Sequence, residues 1–280
     1  MNRSLGIQFS GTALIVLTML SGVCPSSAVA ADPPAAVGSP KDFDALLQKH
    51  VQGDFFDYAG LLKNNEDMAR FDAFLKWQAT AKVSDMSKSE QIAFYINAYN
   101  ACCIKAVLDH YPVHSPKDIV GFFDGLKFKV AGEELTISQI EYDRLIANYR
   151  DMRAHFAVVC ADRGCLPLRK GAYTGENLDK ALDEAAGKFV KDPRHFQVDP
   201  KTGEIQISKI FEWYGDKFVK DPKRPAERPE QYLKYWADDD VRKLLESNKY
   251  KLKIIEWDWT LNEKLDRKPR EPSKADPSAK

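Results

Sequence analysis

The chain has 280 residues, 41 basic and 41 acidic side chains, 44% apolar residues and five cysteines. Without residues 1–30, which hold Arg3 and no acid, the count is 40 against 41, a net of about −1. Basic side chains interleaved with carboxylates exclude the basic face that nucleic-acid binding needs, while the remaining ~250 residues suffice to bury one sizeable core.

Residues 1–30 read as an export signal. Arg3 supplies the positive start, Ala13-Leu-Ile-Val-Leu-Thr-Met-Leu20 the apolar run, and Ala28-Val-Ala30 a small-residue cleavage site. The expected product is periplasmic or secreted, begins at Ala31, and keeps no membrane span, the apolar run being too short for one. Val23 makes Cys24 a poor site for a lipid anchor. Residues 31–40 predict a flexible lead-in and 265–280 a Pro/Lys/Ser-rich disordered tail, with a single domain over 41–264 between them.

Helical spacing runs from Asp42 to Val51 and from Asn64 to Ala79. Ser87-Lys-Ser-Glu90 is a capping box opening a helix to about His110, where Tyr111-Pro112 stops it. Its apolar stripe is Ile92, Ile96, Tyr99, Cys103, Ala106 and Val107, and Asn97 and Asn100 share an adjacent face. A hairpin follows at 126–135, and a second capping box, Thr136-Ile-Ser-Gln139, opens a helix to about Tyr149. His155 to Cys160 predicts a strand. Thr174 predicts the cap of a helix through Lys188, residues 195–208 a hairpin, 208–218 and 229–246 helices, and Tyr250 to Trp257 a last strand. The fold class is α+β, a small, mostly antiparallel sheet packed against several helices.

Chemistry concentrates in His155-Phe-Ala-Val-Val-Cys160-Ala-Asp-Arg-Gly-Cys165-Leu-Pro-Leu-Arg169. An imidazole, two thiols and a guanidinium surround one short apolar segment and its following turn, so Cys165 and Cys160 are both candidate nucleophiles with His155 as base. Asparagine is a poor helix-interior residue, and two of them beside an apolar stripe need a reason. Either their amides tie down neighbouring loops, or Asn97 and Asn100 present donors to a substrate carbonyl or carboxylate.

Five blocks in order, Phe94-Tyr-Ile-Asn-Ala-Tyr-Asn100, Tyr111-Pro112, Leu135-Thr-Ile-Ser-Gln-Ile-Glu141, His155 to Leu168 and Trp257-Asp-Trp-Thr-Leu-Asn262, resemble the domain of unknown function 547 family, here as an exported bacterial member. The resemblance spans 42–263 and implies no established activity. It implies that Asn97, Asn100, Glu141, His155, Cys160, Cys165 and Arg169 lie in the family's characteristic blocks. Two positions depart from the family pattern: Tyr142 stands where a histidine is usual after the glutamate, and Leu166-Pro167 where proline directly follows the second cysteine.

Three readings of the thiols follow. In an oxidising compartment Cys160 and Cys165 can close a structural disulfide worth about 2 kcal/mol for so short a loop. Reduced, one becomes a nucleophile whose thiolate fraction His155, Arg169 and Lys170 would raise, with Glu141 orienting the imidazole and Asn97, Asn100 and Arg169 binding substrate. Such a set makes a cysteine-peptidase- or transglutaminase-like arrangement one expectation for the fold. As metal ligands, His155, Cys160, Cys165 and Glu141 fit no standard zinc spacing, so no metal and no cofactor is expected. Cys102 is expected half-exposed and Cys103 in the core, and Asp258 enters the site if the final strand borders it. Phosphate loops, Gly-x-Ser-x-Gly elbows and His-Glu-x-x-His are absent from the sequence. The leading expectation is a thiol-dependent hydrolase or acyl transferase acting on an amide or thioester bond. The rival is a non-catalytic module for a small-molecule or peptide ligand, with Cys160 and Cys165 joined.

Overall fold

A computed structural model describes residues 38–264, which lie in one compact unit. The segments expected to be an export signal and a C-terminal tail fall outside the described residues. The chain is α+β.

The N-terminal helices are α1 (Pro40–His50), α2 (Tyr58–Leu62) and α3 (Asn65–Thr80), with the short antiparallel pair β1 (Val51–Gln52) and β2 (Phe55–Phe56) between α1 and α2. Asp57 and Asn64 cap α2 and α3 by accepting from the backbone N–H groups of Gly60 and Asp67. Helix α4 (Lys88–His110) is the central element. Ser87 and Glu90 form the expected capping box: the Ser87 N–H donates to Glu90 Oε2 at 2.8 Å and the Ser87 hydroxyl accepts from the Glu90 N–H. From Ile92 to Ile104 every residue is buried, so α4 is covered on all sides rather than along one stripe. Cys102 is therefore fully buried, not half-exposed, and burial pushes its thiol up to about 12.

Strands β3 (Phe128–Val130) and β4 (Glu133–Leu135) form the expected hairpin, turned by Ala131 and Gly132, both at positive φ. The Thr136/Gln139 box opens α5 (Ile137–Gln139), which continues as a π-helical segment, Ile140–Ile146, and ends as α6 (Ala147–Tyr149). Helix α7 (Leu178–Lys191) begins four residues beyond Thr174, whose hydroxyl accepts from the Asn177 N–H in the preceding turn. Strands β5 (Phe196–Val198) and β6 (Ile205–Ser208) pair antiparallel, and β7 (Leu252–Ile255) joins β6 in parallel, shorter than the strand expected over 250–257. Tyr214 divides the helix expected over 208–218 into α8 (Ile210–Trp213) and α9 (Gly215–Phe218). The region 229–246 becomes a 3-10 segment, Pro229–Tyr235, and α10 (Asp239–Ser247), capped by Asp238.

One element needs correcting. The strand expected from His155 to Cys160 is a 3-10 turn, Met152–Phe156, followed by irregular backbone. Residues 151–162 are all buried, so the apolar run carries no alternation to distinguish strand from buried loop. Its backbone finds partners in a side chain of α4 instead of a neighbouring strand.

Candidate functional site

The asparagines of α4 account for how that buried loop is held. Asn100 Nδ2 donates to the carbonyl of Ala157 at 3.1 Å, and its Oδ1 accepts from the N–H of Val159 at 2.8 Å. Asn97 does the same for Tyr173, donating to its carbonyl at 2.8 Å and accepting from its N–H at 3.0 Å. Each carboxamide thus imitates a neighbouring strand's peptide group for an irregular segment, with both of its ends engaged. This is the loop-tying role, the first of the two expected for them. Arg169 is likewise directed into its own loop, donating from Nη1 to the carbonyls of Gly171 and Ala172 and lying over the Tyr173 ring.

His155 is held from several directions. Two residues earlier Arg153, 1% exposed, donates to both oxygens of Asp151 at 2.9 and 2.7 Å and to Asp179 and Asp183, which pins the 3-10 turn to α7. Asp221 accepts from the Met152 N–H and from the Tyr232 hydroxyl. Phe156 packs among Phe189, Phe218, Phe211 and Tyr232. Against this backing, His155 Nδ1 lies 3.0 Å from Glu141 Oε1. Glu141 projects from the π-helical segment, a distortion common at functional sites. The Tyr214 ring stacks on the imidazole at 4.2 Å, and its hydroxyl is 3.1 Å from that of Tyr142, the residue in the family's histidine position. His155 Nε2 is buried and has no hydrogen-bond partner.

The thiols meet in the next turn. Cys160 Sγ and Cys165 Sγ are 3.1 Å apart, and both are free. The Cys160 thiol contacts Asp162 Oδ2 at 3.0 Å, and the Cys160 N–H donates to Cys165 Sγ at 3.3 Å. Asp162 also accepts from the Cys165 N–H at 3.1 Å and from Trp257 Nε1 at 3.1 Å. Ala161 takes a positive φ of 64° to make this turn. The backbone of 258–262 clamps it: Arg163 N–H donates to Thr260, Gly164 N–H to Asp258, and Asn262 N–H to Ala161. Trp257 lies so close over Gly164 that a Cβ there would fall 2.3 Å from the ring. The exposed Asp258 carboxylate accepts from the N–H of Thr260 in its own turn, whereas its carbonyl is what reaches the thiol loop.

These surroundings reverse the expected electrostatics of the thiols. The bond with Cys165, then burial, then the Asp162 charge push the Cys160 thiol up, and burial first pushes Cys165 up as well. Burial raises Asp162 to about 6. The shifts favour the protonated thiols, chiefly through burial and the contact between the two sulfurs, with the Asp162 carboxylate adding to them. The His155 ring makes no hydrogen bond to either sulfur, yet the two halves share a neighbourhood. The hydroxyls of Tyr99 and Tyr214, raised mainly by burial, each feel both Glu141 and Cys160.

Of the four residues considered as metal ligands, the two thiols come together, with Asp162 in place of His155 and Glu141. The ligand atoms of Cys160, Asp162 and Cys165 lie within 4.8 Å of one another. Two thiolates on a tetrahedral zinc stand about 3.8 Å apart, from bonds of about 2.3 Å, against the 3.1 Å sulfur contact here, so the pair would have to open by about 0.7 Å to take that ion. Asp162 and Tyr214 were missed from sequence. Asp162 had a signal, a carboxylate between the two cysteines, whereas Tyr214 reaches His155 only through the fold.

Residues 83–190 match a family model described as a protein of unknown function, DUF547. The matched stretch contains Asn97, Asn100, Glu141, His155, Cys160, Asp162, Cys165 and Arg169. No curated protein and no solved structure matches the chain, so the peptidase-like expectation for its fold gains no support from a known structure.

Proposed function

The chain belongs, over residues 83–190, to the domain of unknown function 547 family, and from the arrangement of its site we propose a thiol-dependent hydrolase or acyl transferase acting on an amide or thioester bond. The observation that carries this reading is the Glu141–His155 pair. A carboxylate fixes one ring nitrogen while the other, Nε2, is buried and without a hydrogen-bond partner, and the two thiols lie five and ten residues further along the same buried loop. A buried polar atom without a partner costs stability, and a substrate or a moving thiol is what would fill it.

Cys165 is the nucleophile in this proposal, because it is the more exposed residue of the two and its sulfur accepts from the Cys160 N–H, whereas Cys160 is buried beside a carboxylate that opposes its ionisation. His155 Nε2 takes the Cys165 proton as the thiol attacks a carbonyl, and returns it to the leaving group. Glu141 holds the imidazole in the tautomer protonated at Nδ1 and stabilises the imidazolium that forms. Asn97 and Asn100 act at one remove, shaping the loops that carry His155, Cys160 and Arg169. Export is part of the same proposal and rests on the residue pattern of 1–30.

A second reading has one observation in its favour: sulfurs 3.1 Å apart need little movement to join, which suits a binding module with a structural Cys160–Cys165 disulfide. One experiment separates the two. The protein, purified without reductant, is exposed to a thioester acyl donor and mapped by mass spectrometry. An acyl adduct on Cys165, lost in Cys165→Ser and slowed about 100-fold or more in His155→Ala, supports the enzyme. A disulfide-linked peptide with no adduct, before or after mild reduction, supports the module.

A further inference from the structure

The thiol pair carries an inference that does not depend on acyl transfer. We propose that Cys160 and Cys165 are a redox-active pair exchanging electrons with disulfide substrates, Cys165 forming the mixed disulfide, Cys160 resolving it, and the Asp162 carboxylate receiving the proton that Cys160 releases.

The geometry assigns the roles. A disulfide needs sulfurs about 2.05 Å apart, and these stand at 3.1 Å across a turn already held in shape by Asn100 on one side and the 258–262 backbone on the other. The two sulfurs are not equivalent. Cys165 is partly exposed and is supported as a thiolate by the Cys160 N–H at 3.3 Å. Cys160 is buried, out of reach of a bulky substrate, and its sulfur touches Asp162 Oδ2 at 3.0 Å. Asp162 is itself 1% exposed, so a proton passed to it stays inside the site. With Asp162 near 6, the carboxylate form predominates at neutral pH and can accept that proton. Among the described residues, the other ionisable groups that feel the Asp162 charge include Tyr58 from α2 and Cys103 from α4, both pushed up first by burial, together with the two thiols themselves.

The exchange balances as follows. Cys165, once deprotonated to solvent, attacks one sulfur of a disulfide RS–SR; the S–S bond breaks, RS⁻ leaves with its electron pair, and a Cys165–S–SR bond forms. Cys160 then gives its proton to Asp162, and its thiolate attacks Cys165 Sγ, forming the Cys160–Cys165 bond and releasing the second RS⁻. The substrate gains two electrons and the pair loses two. A dithiol donor runs the same steps backwards and resets the pair. Such a pair differs from a structural disulfide in that it opens and closes in the folded protein.

The test uses the full chain, reduced and then equilibrated with glutathione and glutathione disulfide at graded ratios, quenched with acid and alkylated for mass mapping. The wild-type chain is expected to pass to the internal Cys160–Cys165 disulfide without a lasting glutathione adduct. Cys160→Ser should accumulate glutathione on Cys165, and Cys165→Ser should acquire it on Cys160 at least about tenfold more slowly. Asp162→Asn should slow the resolving step about tenfold near pH 7, with the difference closing toward alkaline pH as hydroxide replaces the carboxylate. A purely structural loss at Asp162 would not change with pH in this way. An adduct on wild-type Cys165 as lasting as that on Cys160→Ser, or no internal disulfide at any ratio while the chain stays folded, overturns the proposal. These two outcomes are read from the wild-type chain against one variant or alone, so a variant that fails to fold does not protect the idea. Because no acyl donor is present, failure here leaves acyl transfer standing, and the reverse holds.

Discussion

Glu141 Oε1 lies 3.0 Å from His155 Nδ1 although 14 residues separate them, and the bond joins a π-helical segment to a 3-10 turn, two departures from regular helix. The wider π turn changes which face of the helix Glu141 occupies. The 3-10 turn, anchored by Arg153 and Asp221, fixes the ring that Glu141 meets. Replacing Glu141 by Gln keeps the shape but removes the charge that would stabilise an imidazolium. Acyl transfer to Cys165 should fall by about 100-fold in kcat/KM, with the melting temperature little changed, as measured by adduct formation and calorimetry.

Asn100→Ala removes two buried hydrogen bonds at once and leaves the Ala157 carbonyl and the Val159 N–H without partners. The expected loss is about 3 kcal/mol in denaturant unfolding. Asn100→Asp keeps the acceptor for Val159 but cannot donate to Ala157, and it places a charge in the core, so it should be at least as damaging. An exposed asparagine waiting for substrate would show neither loss.

Gly164→Ala sets a methyl group 2.3 Å from the Trp257 ring. Trp257 must move, which breaks its donation to Asp162 at 3.1 Å. The variant should lose about 1–3 kcal/mol of stability and shift its tryptophan emission. Cys165 should alkylate faster than in the parent, because the ring packed over the thiol turn has been displaced. Unchanged emission and labelling would contradict this account of the turn.

Two buried groups tilt stability with pH in opposite directions. Burial raises Asp162 to about 6, so between its unfolded value near 3.8 and 6 the native state binds more protons than the unfolded state, and stability falls as pH rises. Burial first lowers His195, stacked on Phe189, to about 4 against its ordinary 6.5, with Asp192 opposing that shift and Arg194 adding to it. Over that window the unfolded state binds more protons, and stability rises with pH. Each effect is about 3 kcal/mol at full extent, so they nearly cancel. Asp162→Asn should therefore expose a stability that increases from pH 4 to 6.5, and His195→Gln one that decreases, as measured by urea unfolding at stepped pH.

Local signals in the sequence reached far into the fold. The capping boxes at Ser87 and Thr136, the turn at Ala131-Gly132 and the hairpin around 200–203 all depend on contacts within a few residues, and the folded chain forms each of them. The strand expected at 155–160 was illegible for a definite reason: when every side chain of a segment is buried, alternation disappears, and what completes its backbone hydrogen bonds is Asn100, 57 to 59 residues away. The same distance problem hid the purpose of the asparagines, whose unusual position in a helix was visible but whose partners were not.

By itself the sequence determined which residue types are the candidates for chemistry, two thiols, an imidazole and a carboxylate in blocks that resemble one family, because those identities need no folding to be read. Only the tertiary structure decided how they are grouped. It paired His155 with Glu141 and Tyr214, and it set Cys160 and Cys165 around Asp162 beneath Trp257. Those groupings depend on long-range packing of α4, the π segment and residues 257–262 around one loop, and burial there raised the thiols that neighbouring basic residues in the sequence had suggested would be lowered.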